Sequence, residues 1–252
     1  MPRMRLLPRR ALRLAPAVAL CALTLLGSAS AAQVLSVHYQ ERAPYSSTQA
    51  DGSVSGLTAT PAQQALQRAG VSFVWVLTPS QRQLALIQEG HGLHCGLGWF
   101  LNAERSALGK FSKALYRDPP FGALARNDSG LRNGMRGEEA VASSAEVLLV
   151  KEGYSYGPQL DRLIARRETP PTVTSAETRQ MARMLLAGRA SWMIVGAEEA
   201  QVLRQDAAAA AGLRMVNLAD MSPGETRHLY CSRAVPDAWL ARIDQALTAV
   251  VR

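Results

Sequence analysis

Two histidines and a cysteine fall within five positions at His91-Gly92-Leu93-His94-Cys95, close enough in sequence to raise a metal site. On an extended strand alternate side chains leave opposite faces, so His91 and Cys95 share one face and His94 takes the other. The three do not converge, and the remaining histidines are the isolated His38 and His228. No metal and no cofactor are expected. The sequence has no G-x-S-x-G elbow, no P-loop and no G-x-G-x-x-G fingerprint. A Ser-His-Asp triad needs no sequence proximity, but no local context marks a nucleophile. The adjacent acids Glu138-Glu139 and Glu198-Glu199 do not face each other on a helix, which argues against a general acid–base pair. The chemistry on offer is that of binding, and the chain is read as a non-enzyme.

Of the 252 residues, 48% are hydrophobic and 19% charged, an ordinary globular composition that excludes disordered and fibrous classes. The formal charge of +8 comes largely from Arg3, Arg5, Arg9, Arg10 and Arg13. A charge-free stretch over 14–30 follows and ends in Ala29-Ser30-Ala31, the layout of a cleaved secretory signal over 1–31. Leu20 before Cys21 argues against a lipoprotein signal. Arg9-Arg10 fits a twin-arginine signal as well as a plain basic segment, so the export route stays open. Without the leader 23 basic and 20 acidic side chains remain, a net charge of about +3, which gives no case for nucleic acid. Cys21 leaves with the signal. Cys95 and Cys231 are then the only cysteines, and in an oxidising compartment they are expected to form one disulfide.

The elements that would position these residues alternate. Strands are predicted over 34–39, 71–77 and 93–98. Between them lie helices over 61–69, capped by Thr60 and stopped by Gly70, and from Ser80 to Gly90. Strand–helix alternation predicts a parallel sheet covered on both faces. A second set follows: strands over 121–125, 146–150, 191–195, 213–218 and 227–232, and helices over 157–166, 175–187 and 197–211. Residues 127–136 read as an exposed loop. A last helix opens at Pro236 and carries Trp239, Leu240, Ile243 and Leu247 on one stripe. Two such units in series predict two lobes with a cleft. Ligands of open α/β sheets sit beyond the carboxyl ends of the strands, here the loops after Tyr39, Gly98, Val150 and Val195.

Several short segments, in order across residues 34–250, resemble the amino-acid (family 3) type of periplasmic solute-binding protein. They are Arg42-Ala43-Pro44-Tyr45, Asp51-Gly52 with Gly56, residues 84–90 (LALIQEG), and Ala103-Glu104-Arg105 leading to Phe111-Ser112. The second lobe adds Glu152-Gly153-Tyr154-Ser155-Tyr156-Gly157 and residues 186–189 (LAGR). The resemblance implies an α/β, two-lobed, type II binding-protein fold with two crossovers, each lobe a mostly parallel sheet flanked by helices. It places lobe 1 at 32–119, lobe 2 at 120–226 and a return to lobe 1 at 227–252. In that family an arginine matching Arg105 clamps a ligand carboxylate, as a planar guanidinium fork can; the alternative is a surface pair with Glu104. Ser155 matches the hydroxyl that meets the ligand from lobe 2, or simply caps the helix that follows. Tyr45, Trp99, Tyr154 and Tyr156 would form aromatic walls. Glu198 is taken as the acid facing the ligand, although Glu198 and Glu199 also suit a helix N-terminus. The family's Gly-x-x-x-Asp is absent after Gly56, and the Ser191–Val195 segment ends in Gly196 rather than an acid. An α-amino acid is therefore a poor candidate ligand.

The expectation is a periplasmic, monomeric protein closing on a small polar or carboxylate-bearing ligand for transport or sensing, with a membrane permease or a sensor as partner. Two other readings remain at this level. One is an exported lyase or hydrolase on this fold, drawing on Glu41, His38 or Glu198. The other is an interaction module that keeps the lobes without a small ligand.

Overall fold

A computed structural model describes residues 33–250. The expected signal sequence, its cleavage site and Cys21 lie outside the described residues. The chain begins with β1 (Leu35–Tyr39), the short pair β2 (Ser47–Thr48) and β3 (Val54–Ser55), and α1 (Ala59–Arg68). There follow β4 (Phe73–Leu77), α2 (Ser80–Gln88), β5 (His94–Phe100), α3 (Ala103–Leu108), β6 (Lys110–Phe111) and β7 (Tyr116–Arg117). Next come β8 (Gly122–Arg126), α4 (Gly137–Ala142), β9 (Leu148–Lys151), α5 (Pro158–Ala165) and β10 (Thr172–Thr174). Then follow α6 (Thr178–Leu186), β11 (Trp192–Val195), α7 (Ala197–Leu203), α8 (Ala207–Gly212) and β12 (Leu213–Val216). β13 (Thr226–Cys231) and α9 (Asp237–Val250) close the chain.

The strands sort into two large sheets, one per lobe. The first runs β4-β1-β5-β13-β6 with β7 also on β13, and the second runs β10-β9-β11-β8-β12. The two are built alike. β4, β1 and β5 are mutually parallel, as are β10, β9 and β11. In each sheet the next strand is the one by which the chain enters from the other lobe, and it pairs antiparallel: β13 on β5, and β8 on β11. The parallel half of each sheet is the part that strand–helix alternation announces. The antiparallel half comes from the crossovers, so each sheet is mixed.

Helices cover the sheets because their apolar stripes have nowhere else to go. α1 turns Ala59, Ala62, Ala65 and Leu66 inward, and α9 packs Ile243 and Leu247 into the same cluster with Leu35, Val37 and Leu97. Small alanines on α1 let α9 approach closely, and each fully buried leucine or isoleucine there contributes about 1.5–3 kcal/mol. The second sheet is covered on both faces by clusters around Trp192 and Ile194 and around Leu149 and Met193. Cys95 and Cys231 sit opposite each other on β5 and β13 and are joined in a disulfide, with both residues wholly buried.

Three local expectations need correction. α1 starts two residues before Pro61. The residue at its cap position is Thr58, whose hydroxyl donates to Tyr45 O at 2.8 Å, while Thr60 lies inside the helix. Pro79, not Ser80, takes the cap position of α2, its φ of −56° already set by the ring. The run over 197–211 is two helices, because Asp206 accepts hydrogen bonds from Ala208 and Ala209 N–H and starts a new one. No helix among the described residues is long and apolar enough to cross a membrane.

Candidate functional site

A cavity opens between the lobes at the carboxyl ends of β1, β5, β9 and β11. It encloses about 590 Å³ counting its solvent-facing mouth.

The loop after β1 delivers Gln40, Arg42 and Tyr45. It folds back on itself through Arg42 N–H to Ser46 O at 2.8 Å and Ser46 Oγ–H to Gln40 O at 2.8 Å. Gly56 lies against this turn, and with φ at +137° a Cβ there would stand 2.5 Å from Tyr45 O, so only glycine fits. The end of β5 supplies Trp99 and Phe100. Trp99 is oriented by its indole N–H donating to Gln83 Oε1 at 3.0 Å. Asn102 then caps α3 by accepting from Arg105 N–H at 2.8 Å, which aims the Arg105 side chain back at the cavity.

Arg105 is 4% exposed. Its guanidinium stacks 4.7 Å from the Trp99 ring centre and donates to Phe100 O at 2.8 Å and, across the cleft, to Gly153 O at 2.9 Å. Glu104 makes no ion pair with it among the described residues. Burial lowers the pKa of Arg105, a sign of a desolvated cation whose nearest acids act only from a distance.

The second lobe answers through the loop after β9. Tyr154 accepts from Gln40 Nε2 at 2.6 Å and meets Trp99 edge-on. Tyr156 is held by Lys151 N–H donating to its hydroxyl at 2.8 Å. Ser155 lines the cavity, yet its hydroxyl donates to Asp161 and accepts from Gly157 N–H at 3.2 Å, which ties it into the turn leading to α5; the cap position itself is Gly157, with no side-chain cap bond. From the loop after β11, Gly196 lies against the Tyr45 hydroxyl, where a Cβ would come within 2.7 Å.

Six of the seven side chains expected to meet a ligand line this cavity: Arg105, Ser155, Tyr45, Trp99, Tyr154 and Tyr156. Glu198 does not. It accepts from Tyr116 Oη–H at 2.5 Å, and burial with the Glu198 contact keeps that phenol protonated. Its neighbour Glu199, a helical step further round, is the acid that pairs with Arg42 on the cavity wall. It takes two hydrogen bonds from Arg42, both at 2.7 Å, and the Arg42 charge holds its carboxyl below the usual range despite complete burial. Of the three acids and bases considered for catalysis, Glu41 bonds Thr48, His38 bonds Thr78 and His94, and none lines the cavity.

Three partners were not anticipated. Arg227 on β13 lies 4.0 Å from the Tyr45 ring centre, donates to Gly98 O, and pairs with buried Asp118 through two bonds of 2.7 and 2.6 Å. Lys151, at the end of β9, bonds Gln40 at 3.0 Å and pairs with Glu177. Arg42 stands in the Arg42-Ala43-Pro44-Tyr45 motif, which assigns it no acidic partner. Each partner lies tens to more than a hundred positions away in sequence, so no local pattern announces it. Among the described residues no group of three metal-capable side chains converges; Cys95 is in the disulfide, and His94 Nδ1 sits 3.0 Å from His38 Nε2.

The sequence matches no protein-family model and no curated protein. The fold is similar to that of the arginine-, lysine-, histidine-binding protein ArtJ from Geobacillus stearothermophilus. The TM-score is 0.71 at 16% identity, over 87% of this chain and 90% of that one. It is likewise similar to the substrate binding protein of an amino acid ABC transporter, with a TM-score of 0.68 at 13% identity over 85% and 92% of the two chains. An ancestral arginine-binding protein bound to arginine gives 0.67 at 14% identity over 86% and 91%. The chain thus has the α/β, two-lobed fold of periplasmic binding proteins.

Proposed function

We propose that this chain is an exported solute-binding protein whose lobes close on a small carboxylate-bearing ligand, held in the periplasm for a membrane permease or a sensor. The observation that carries the reading is Arg105: a buried guanidinium on the cavity wall, stacked on Trp99 and without a carboxylate of its own. Two of its five N–H groups are bonded to carbonyls, which leaves donors for a planar anion. Export rests on the basic and apolar layout of residues 1–31, and the structural relatives whose names state a role are binding proteins. The lobes already share hydrogen-bonding partners across the cleft, so a ligand touching both walls favours the closed arrangement by its extra contacts there.

A thermal-shift screen of the purified protein tests this, using organic acids, amino acids, polyamines, sugars and short peptides. A ligand at a hundred times its Kd stabilises by about 2.7 kcal/mol, a readily measured rise in Tm. The expected result is a stabilising carboxylate whose effect is lost in Arg105→Ala and partly kept in Arg105→Lys. A protein that melts cooperatively and responds to no compound would overturn the proposal.

A further inference from the structure

Among the charged side chains on the cavity wall one has no carboxylate partner, and that residue describes the ligand. Four cations reach the cavity: Arg42, Arg105 and Arg227 on the wall, and Lys151 bonded to Gln40 just behind. Three of them are matched one for one by carboxylates, Arg42 by Glu199, Arg227 by Asp118 and Lys151 by Glu177. Two of these pairs are bidentate and buried, a geometry that no small ligand displaces cheaply. Arg105 alone is left over. Asp161, the next acid in the second lobe, holds Ser155 and Tyr156 N–H and does not line the cavity.

From this we infer that the ligand carries one carboxylate and no ammonium group, with an aromatic or branched apolar body. The inference deepens the binding-protein reading and rests on it. A single negative charge balances Arg105. A second carboxylate would meet only cations whose charge is already matched, Arg42 by Glu199 and Arg227 by Asp118. An ammonium group would instead enter a cavity whose wall carries an unpaired cation and no carboxylate. Phe100, Phe121, Tyr45, Tyr154, Tyr156 and Ile194 give the remaining wall broad apolar and aromatic faces, beside the uncharged polar Gln40, Ser46, Thr58 and Ser155. Such faces suit a ring or a branched chain better than a second charge. One carboxylate oxygen competes with this account: Glu198 Oε2 is buried and unbonded near Gly196, outside the cavity wall.

Matched pairs of compounds that differ only by the α-amine decide the matter, titrated by calorimetry into the full chain as purified. Suitable pairs are 3-phenylpropanoate with L-phenylalanine, 4-methylpentanoate with L-leucine, glutarate with L-glutamate, and 5-guanidinopentanoate with L-arginine. The expected result is that phenylpropanoate or methylpentanoate binds at least tenfold more tightly than its amine-bearing twin, and more tightly than glutarate. Tighter binding of the amine-bearing member, lost in Glu198→Gln, would overturn the inference and leave the solute-binding role standing. Preference for glutarate or 5-guanidinopentanoate would do the same. Failure of all eight compounds, in a protein stabilised by something else in the wider screen, would also overturn it. Failure of every compound in both experiments would remove the binding role with it.

Discussion

His38 shows how a single side chain can tie stability to pH. It is buried on β1, with Nδ1 2.8 Å from Thr78 Oγ1 and Nε2 3.0 Å from His94 Nδ1. Burial first, then the charges of His94 and Arg82, lower its pKa from 6.5 to about 4. In the unfolded chain it takes up a proton as pH falls through 6.5, but in the folded chain only near 4. The unfolded state therefore binds more protons over that window, and stability is lost as pH drops from about 6.5 to about 4, by up to about 3 kcal/mol. Above pH 6.5 the group has no effect. Denaturant unfolding at pH 7 and pH 4.5 should show the loss, and His38→Gln should flatten it; an equal loss in the variant would assign it elsewhere. The same scale shows what could be foreseen. Arg105 and the aromatic residues stand in short motifs beside strand ends, so their types and positions were legible. Which of Glu198 and Glu199 pairs with Arg42 depends on the rotation of α7 against a loop more than 150 positions earlier, and adjacent glutamates do not reveal that rotation.

Elements were most legible where apolar periodicity and glycine punctuation agreed. β1, α5, β11 and α9 lie within a few residues of their expected places for that reason. The two-residue strands β2, β3, β6 and β7 carry no period, since two residues cannot alternate, and their pairing is decided by the strands beside them. The break between α7 and α8 has a different cause. Alanine is the best helix former, so the run at 207–211 masks a boundary made by one cap. Asp206 binds the N–H groups of Ala208 and Ala209 at 3.0 and 3.2 Å. Asp206→Ala should therefore cost about 1 kcal/mol in denaturant unfolding, and Asp206→Asn or Asp206→Ser should recover most of it. An alanine variant as stable as the parent would mean that Leu213 and Ala209, buried against the second sheet, hold α8 unaided.

The molecule as a whole is organised around one covalent link. Cys95 and Cys231 are 136 positions apart, and the entire second sheet is made from chain between them. Reduction should lower stability by about 2–5 kcal/mol, toward the upper end because the closed loop is long. A Tm measured with and without reductant, against Cys95→Ala/Cys231→Ala, checks this. Equal melting of all three would show that antiparallel pairing of β5 with β13 is sufficient alone. The link also sets a path for mechanical load. The two ends of the described chain, β1 and α9, both belong to the first lobe, and a pull between them reaches Cys95 from one side and Cys231 from the other. There the tension crosses a single sulfur–sulfur bond and returns. The second lobe hangs from that bond as a closed ring, outside the line of force, and keeps its full contour length in reserve until the disulfide is cut.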